Sequence, residues 1–256
     1  MSHEVHTEEI QGFTVRIFID EDAQNPFDDW ECNPPLAVYA PYNRGIDEYA
    51  TGYGEVNTPP TLTREQIKAN LPAILELCEA PNIRELLREY PYREMAFVDC
   101  VNDAIREGVD NLGDSDRLEA LCSLYAMVGM PAVLKSVHGS SQGDYAEVLA
   151  VATPEFQAEC GNGSDYDWDS SLRASIQLFE DWAFGNVYGY TVEDAEGNEI
   201  DSCWGFFGDY NAPYGAMHEA EAAINWQIAK NRKSHVEQVK TWIKNRVPLH
   251  YRTLAI

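Results

Sequence analysis

Apolar and polar positions alternate from Gly12 to Ile19 in the run GFTVRIFI, which predicts a strand. A second, shorter strand is predicted at Leu36 to Tyr39, bounded by Pro34-Pro35 before it and Pro41 after it. Between them, Asp20 to Glu31 is acidic and contains Asn25-Pro26, so it reads as a loop. Tyr42 to Pro60 has glycines, tyrosines and prolines without periodicity and reads as a longer one. Residues 1–11 are expected to be a flexible terminus.

The period then changes to that of a helix. Thr63 and Gln66 form a capping box, and Ile67, Leu71, Ile74, Leu75 and Cys78 continue one face, with Pro72 as a candidate kink. A short helix after Pro81 is followed by helices over Met95 to Val109 and Asp114 to Val128, the last ended by Gly129 and Pro131. Strand patterns return at Ala132 to Val137 and Tyr145 to Ala152, around the turn His138 to Asp144. Thr153-Pro154 opens a helix, and Ser170 opens another that runs through Trp182 to Gly185. Val187 to Glu193 and Glu199 to Trp204 flank Glu196-Gly197-Asn198, a hairpin signal. Gly215 to Ala229 is an alanine-rich helix, and Ser234 with Glu237 is read as the cap of a separate last helix.

The pattern fits an α+β fold, with helices packed on an antiparallel or mixed sheet. The expected organisation is one acidic domain over 12–229, with a basic helical segment, 230–256, packed on it. Core positions are expected at Ile17, Phe18, Leu75, Leu121, Leu149, Phe179 and Trp204.

Charge changes the picture more than composition does. The chain of 256 residues has a formal net charge of −25. From Lys230 onward, Lys230, Arg232, Lys233, Lys240, Lys244, Arg246 and Arg252 face Glu237 alone, a net +6, so the preceding 229 residues carry −31. The simpler expectation is that the basic segment lies on the acidic body and neutralises part of it; the alternative is a separate contact surface. The field of the body repels polyanions, so direct DNA binding by it is not expected. There is no long apolar run and no basic-then-apolar leader, so no membrane association is expected and a cytoplasmic location is. The six cysteines form no C-x-x-C pair and are expected to be reduced thiols; Cys78, Cys100 and Cys122 lie in apolar helical patterns.

Catalytic motifs are sparse. A phosphate-binding glycine loop, G-x-S-x-G and H-E-x-x-H are all absent from the sequence, and no cofactor is assigned. His138, Ser141 and Asp144 bring a base, a hydroxyl and a carboxylate into one turn, although local hydrogen bonding of that turn accounts for the same residues. Cys203 is a second candidate nucleophile, with His138 or His218 as its base; a small buried residue in a strand is the simpler reading. Two weak metal patterns, His3-Glu4-His6 and Asp165, Asp167, Asp169, lack a complete ligand set, and no metal is assigned.

Acidic and aromatic loops are the stronger signal. Asp28, Asp29 and Trp30 crowd one segment, and Asp165, Tyr166, Asp167, Trp168 and Asp169 crowd another. Dense carboxylates repel one another unless solvated or matched by a partner. They suit a basic, nucleic-acid-binding protein surface, with the aromatics as apolar anchors and Trp168 foremost. Solubility alone is the competing explanation.

The stretches NPFDDW, SSQGDYAEVL, NVYGYTVED and DSCWGFFGDY, which include Asp144, Tyr188, Asp201, Cys203 and Trp204, resemble a family of proteins found in phages, plasmids and other mobile elements. The resemblance implies no reaction, cofactor or catalytic residue. Relatives carry a histidine and an arginine after the second strand, where this chain has Ala40-Pro41-Tyr42-Asn43-Arg44. What it implies is a mobile-element setting, which favours an acidic, non-enzymatic binding protein, with a DNA-mimic inhibitor of a host nucleic-acid-binding or defence protein as the specific expectation. A Ser or Cys hydrolase and a structural or accessory phage protein are the alternatives.

Overall fold

The structure is a computed structural model and describes residues 3–29, 33–40, 55–77, 94–139, 145–160 and 166–246. The elements run β1 Glu4–Ile10, β2 Phe13–Ile19, α1 Pro26–Asp29, β3 Leu36–Tyr39, α2 Arg64–Leu77, α3 Glu94–Asp110 and α4 Asp114–Met127. They continue as β4 Ala132–His138, β5 Tyr145–Val151, α5 Pro154–Cys160, α6 Trp168–Ala183, β6 Val187–Glu193, β7 Glu199–Phe207 and α7 Ala216–Arg246. The fold is α+β, with helices packed on two antiparallel sheets.

The chain divides into two compact units, one made of Met1–Ala23 with Gly185–Ile256 and the other of Gln24–Phe184. In the second unit, the sheet β3-β5-β4 has a core on each side. Leu149 and Val151 point to a cluster with Ile67, Ile74, Ile105, Leu121 and Leu124 of α2, α3 and α4. Val148 and Ala150 point the other way, to Phe156, Leu172, Ile176 and Phe179 of α5 and α6. A strand buried on both faces is read as a continuous apolar run, as YAEVLAV shows.

Capping chemistry sets several boundaries here. The Thr63 N–H donates to Gln66 Oε1 at 2.8 Å and the Gln66 N–H to Thr63 Oγ1 at 3.3 Å, the reciprocal box expected at α2. The helix then runs through Pro72 to Leu77. Asp167, not Ser170, caps α6: its carboxylate accepts from the Ser170 N–H at 3.1 Å, so the helix begins two residues earlier than the sequence pattern placed it. The acidic segment expected to be a loop contains the short helix α1.

In the first unit, the sheet order is β1-β2-β6-β7. The terminus expected to be flexible is its edge strand, β1, paired with β2 from Glu4↔Phe18 to Ile10↔Phe13. One face of this sheet packs on the first turns of α7, where Val15, Ile17, Tyr190 and Val192 meet Ala216, Met217, Ala220 and Ile224. The separate last helix does not exist, because α7 is continuous for 31 residues. In the described part of the basic segment, every residue from Lys230 to Thr241 is exposed, as are Trp242 and Lys244 to Arg246; residues 247–256 lie outside the described residues.

Among the described residues, no helix is long and apolar enough to cross a membrane.

Candidate functional site

Among the described residues, the thiol Cys203 and the two candidate histidines have separate partners. Ser141 and Asp144 lie outside the described residues, as do Trp30 and Asp165. His138, exposed at the end of β4, packs its ring on Tyr145 with centroids 5.2 Å apart. Cys203 is exposed, not the buried small residue expected of a strand, and its Sγ donates to the Trp204 carbonyl oxygen at 3.9 Å. His218 is engaged elsewhere: its ring lies 5.6 Å from that of Tyr214, and its Nδ1 lies 3.6 Å from Glu219 Oε1. Cys100 and Cys122, expected in the core, are only partly buried. No group of three or more His, Cys, Asp or Glu able to hold a metal occurs among the described residues.

The acidic loop before α6 is taken up by local structure. Asp167 accepts from both the Ser170 backbone and its hydroxyl, the latter at 2.6 Å, and these bonds hold its carboxyl below the usual range. Asp169 pairs with Arg173 Nε at 2.7 Å, one helical turn on. Trp168 is partly buried against Phe156, with centroids 5.7 Å apart, so it is a packing residue more than a free anchor; Tyr166 beside it is exposed. Asp28 and Asp29 end α1.

Tyr188 and Asp201 belong to the side of the four-stranded sheet that faces α7. Tyr188 meets Tyr210 edge-on at 5.2 Å. The Tyr190 hydroxyl donates to Asp201 Oδ2 at 2.8 Å. Burial first, then that bond and the charge of Asp201, drive the phenol well above its ordinary value. This phenol therefore stays protonated and acts as a donor that orients Asp201 at the mouth of a cleft shared with Glu219 and Trp226.

The opposite side of that sheet is the more distinctive surface. Register places Glu4, Thr7 and Glu9 of β1 beside Phe18, Arg16 and Thr14 of β2. Beyond these come Gly189, Thr191 and Glu193 of β6, and then Trp204, Ser202 and Glu199 of β7. Trp204, expected in the core, is 43% exposed. It lies flat over Gly189, where an added Cβ would fall 2.2 Å from the indole, and reaches the Phe18 ring with centroids 5.9 Å apart. Glycine is needed there because the indole occupies the space of a side chain, the arrangement by which an aromatic covers a strand glycine.

The same face carries four carboxylates: Glu4 beside Phe18 in the row of the aromatic pair, and Glu9, Glu193 and Glu199 in the Thr14 row, about 13 Å along the strands. Arg16, the single basic residue among them, bonds Glu193 at 3.2 Å and lies 3.5 Å from Glu4. Glu199 accepts from the Ser202 hydroxyl at 2.9 Å, and Glu9 is exposed. No side chain here is a nucleophile poised beside a base. The face thus has an apolar pair at one end and a row of carboxylates at the other, with Arg16 between them. The sequence pattern of Trp204 marked it as a motif; what misdirected the reading was assigning its face to the core.

Comparison with protein-family models, with curated proteins and with solved structures finds no match to this chain.

Proposed function

We propose that the chain is a non-enzymatic binding protein whose acidic sheet unit takes a basic protein surface. The observation that carries this reading is the sheet face that holds Trp204 and Phe18 at one end and the carboxylates Glu9, Glu193 and Glu199 at the other, with Arg16 as its one basic residue. The rest of the unit has the same sign: residues 3–23 and 185–229 hold fourteen carboxylates and, as their sole Lys or Arg, Arg16. Lysines and arginines that grip phosphates are the natural complement of such a face. An inhibitor that occupies a nucleic-acid-binding protein in place of DNA is the form of this function that the charge favours, consistent with a mobile-element setting. Charge sets the speed and salt dependence of encounter, while Trp204 supplies the apolar contact that carboxylates lack.

The test is capture of basic proteins from a host lysate on immobilised chain at low and moderate salt, with duplex DNA as competitor. Capture should weaken as salt rises, be displaced by DNA, and fall at least tenfold in Glu9→Gln/Glu199→Gln with Trp204→Ala. These positions serve better than Asp167 and Asp169, whose neutralisation would remove a helix cap and an ion pair within the fold. Capture that is indifferent to these three substitutions overturns the assignment to this face.

A further inference from the structure

The face around Trp204 has a counterpart in the same chain. The far half of α7 is a basic helix with an apolar stripe that no described residue of its own unit covers. Val236, Val239 and Trp242 are 43%, 41% and 54% exposed. Their spacing of three residues, with Ile243 one further on, brings them to one side of the helix. Lys230, Arg232, Lys233 and Lys240 precede or flank the stripe, and Glu237 is the one acid among them. An exposed stripe of this kind, on a helix without strong propensity or capping to sustain it, is stable when something packs on it.

We infer that the far half of α7 docks on the Trp204 face of a second copy of this chain. This rests on the reading of that face as a receptor for basic surfaces and names one partner for it. Charge complementarity selects the occupant. The sheet face presents Trp204 and Phe18 at one end and the row Glu9, Glu193 and Glu199 about 13 Å away; the helix presents Trp242 toward one end of its stripe and Lys230, Arg232 and Lys233 before the other. Its own copy of the face is out of reach of this stripe, since α7 is a continuous helix whose first turns already pack on the opposite side of the same sheet. From Lys230 to Arg246 the helix extends for about 25 Å. Pairing of two α7 stripes with each other would set lysine against lysine. Duplex nucleic acid would meet the repelling field of the acidic body and leave the apolar stripe uncovered. A two-fold arrangement in which each copy lends its helix to the other uses both contacts at once and closes, so it stops at the dimer.

Sedimentation velocity on the full chain, from micromolar to sub-millimolar concentration, tests this. A monomer–dimer equilibrium is expected, with the dimer weakened as NaCl rises. Lys233→Glu/Lys240→Glu should shift dissociation at least tenfold toward monomer. So should Glu9→Lys/Glu199→Lys, on the other surface, and the two pairs combined in one chain should restore the dimer. All four positions are exposed, and circular dichroism checks that each variant keeps the fold. A monomer at every concentration overturns the inference; if basic proteins are still captured through Trp204, the reading of the face survives it, and if they are not, both fall. A dimer lost on Val236→Ser/Val239→Ser but indifferent to Glu9→Lys/Glu199→Lys overturns it in favour of helix-to-helix pairing. Binding of duplex DNA by the monomer, abolished by Lys233→Glu/Lys240→Glu, overturns it in favour of nucleic acid.

Discussion

Gly189 and Trp204 show how one missing Cβ shapes a surface. The indole lies where any side chain at position 189 would begin. Gly189→Ala should therefore lift Trp204 off the sheet and cost about 1–3 kcal/mol, the usual range for overpacking. Urea denaturation followed by tryptophan fluorescence reads both effects, since the displaced indole emits further to the red. An unchanged midpoint would show that the ring yields freely and that the face is not organised by this contact. The same scale explains why most acidic residues picked out by eye are poor site candidates. Asp167 caps a helix, Asp169 pairs with Arg173, and Asp194 accepts from the backbone N–H groups of Glu196 and Asn198 in the β6–β7 turn. Each of these carboxylates is engaged by a neighbour in sequence; on the sheet face, Glu4 and Glu193 are engaged by Arg16 from another strand, and Glu9 and Glu199 are exposed.

At the scale of elements, α7 is one continuous helix whose two halves differ in burial. Its first turns bury Ala216, Met217, Ala220 and Ile224; its far half buries no residue. Ser234 and Glu237, which resemble a capping box, sit inside the helix because nothing between Ala229 and Ser234 breaks it: no proline or glycine interrupts the run. Removing everything after Ala229 should lower the helical signal at 222 nm and leave the stability of the monomer unchanged within about 0.5 kcal/mol. Circular dichroism with urea titration at low concentration checks this. A clear drop in the denaturation midpoint would mean that the far half supports the unit's own core.

For the whole molecule, the net charge of −25 sets the balance. Among the described residues, most ion pairs join exposed partners, such as Arg173 with Asp169 and Lys240 with Glu237, and contribute little. Repulsion among unmatched carboxylates outweighs them, and salt screens it over about a Debye length. The melting temperature should therefore rise with NaCl in the low-salt range, by roughly 2–4 °C for each 1 kcal/mol of repulsion relieved. Scanning calorimetry at a concentration where the chain is monomeric measures this, and a flat or falling Tm would contradict it.

Local chemistry made much of this protein legible from its sequence alone. The strands Leu36–Tyr39 and Val187–Glu193, the Thr63–Gln66 box and the ends of α3 and α4 follow from alternation, helical period, caps and breakers, all of which act within a few residues. The separation of an acidic body from a basic end was legible too, since charge is a property of composition. Which side of a strand meets the core was not, because that depends on partners distant in the chain. Trp204 and Phe18 look like core residues until pairing places them on the side of the sheet away from α7, together with Glu4 from a terminus that had no apolar pattern of its own to mark it as a strand. Nor does a basic amphipathic helix announce whether its own domain covers it. Only the tertiary structure decided that, by spending the first turns of α7 on the sheet and carrying the rest beyond it.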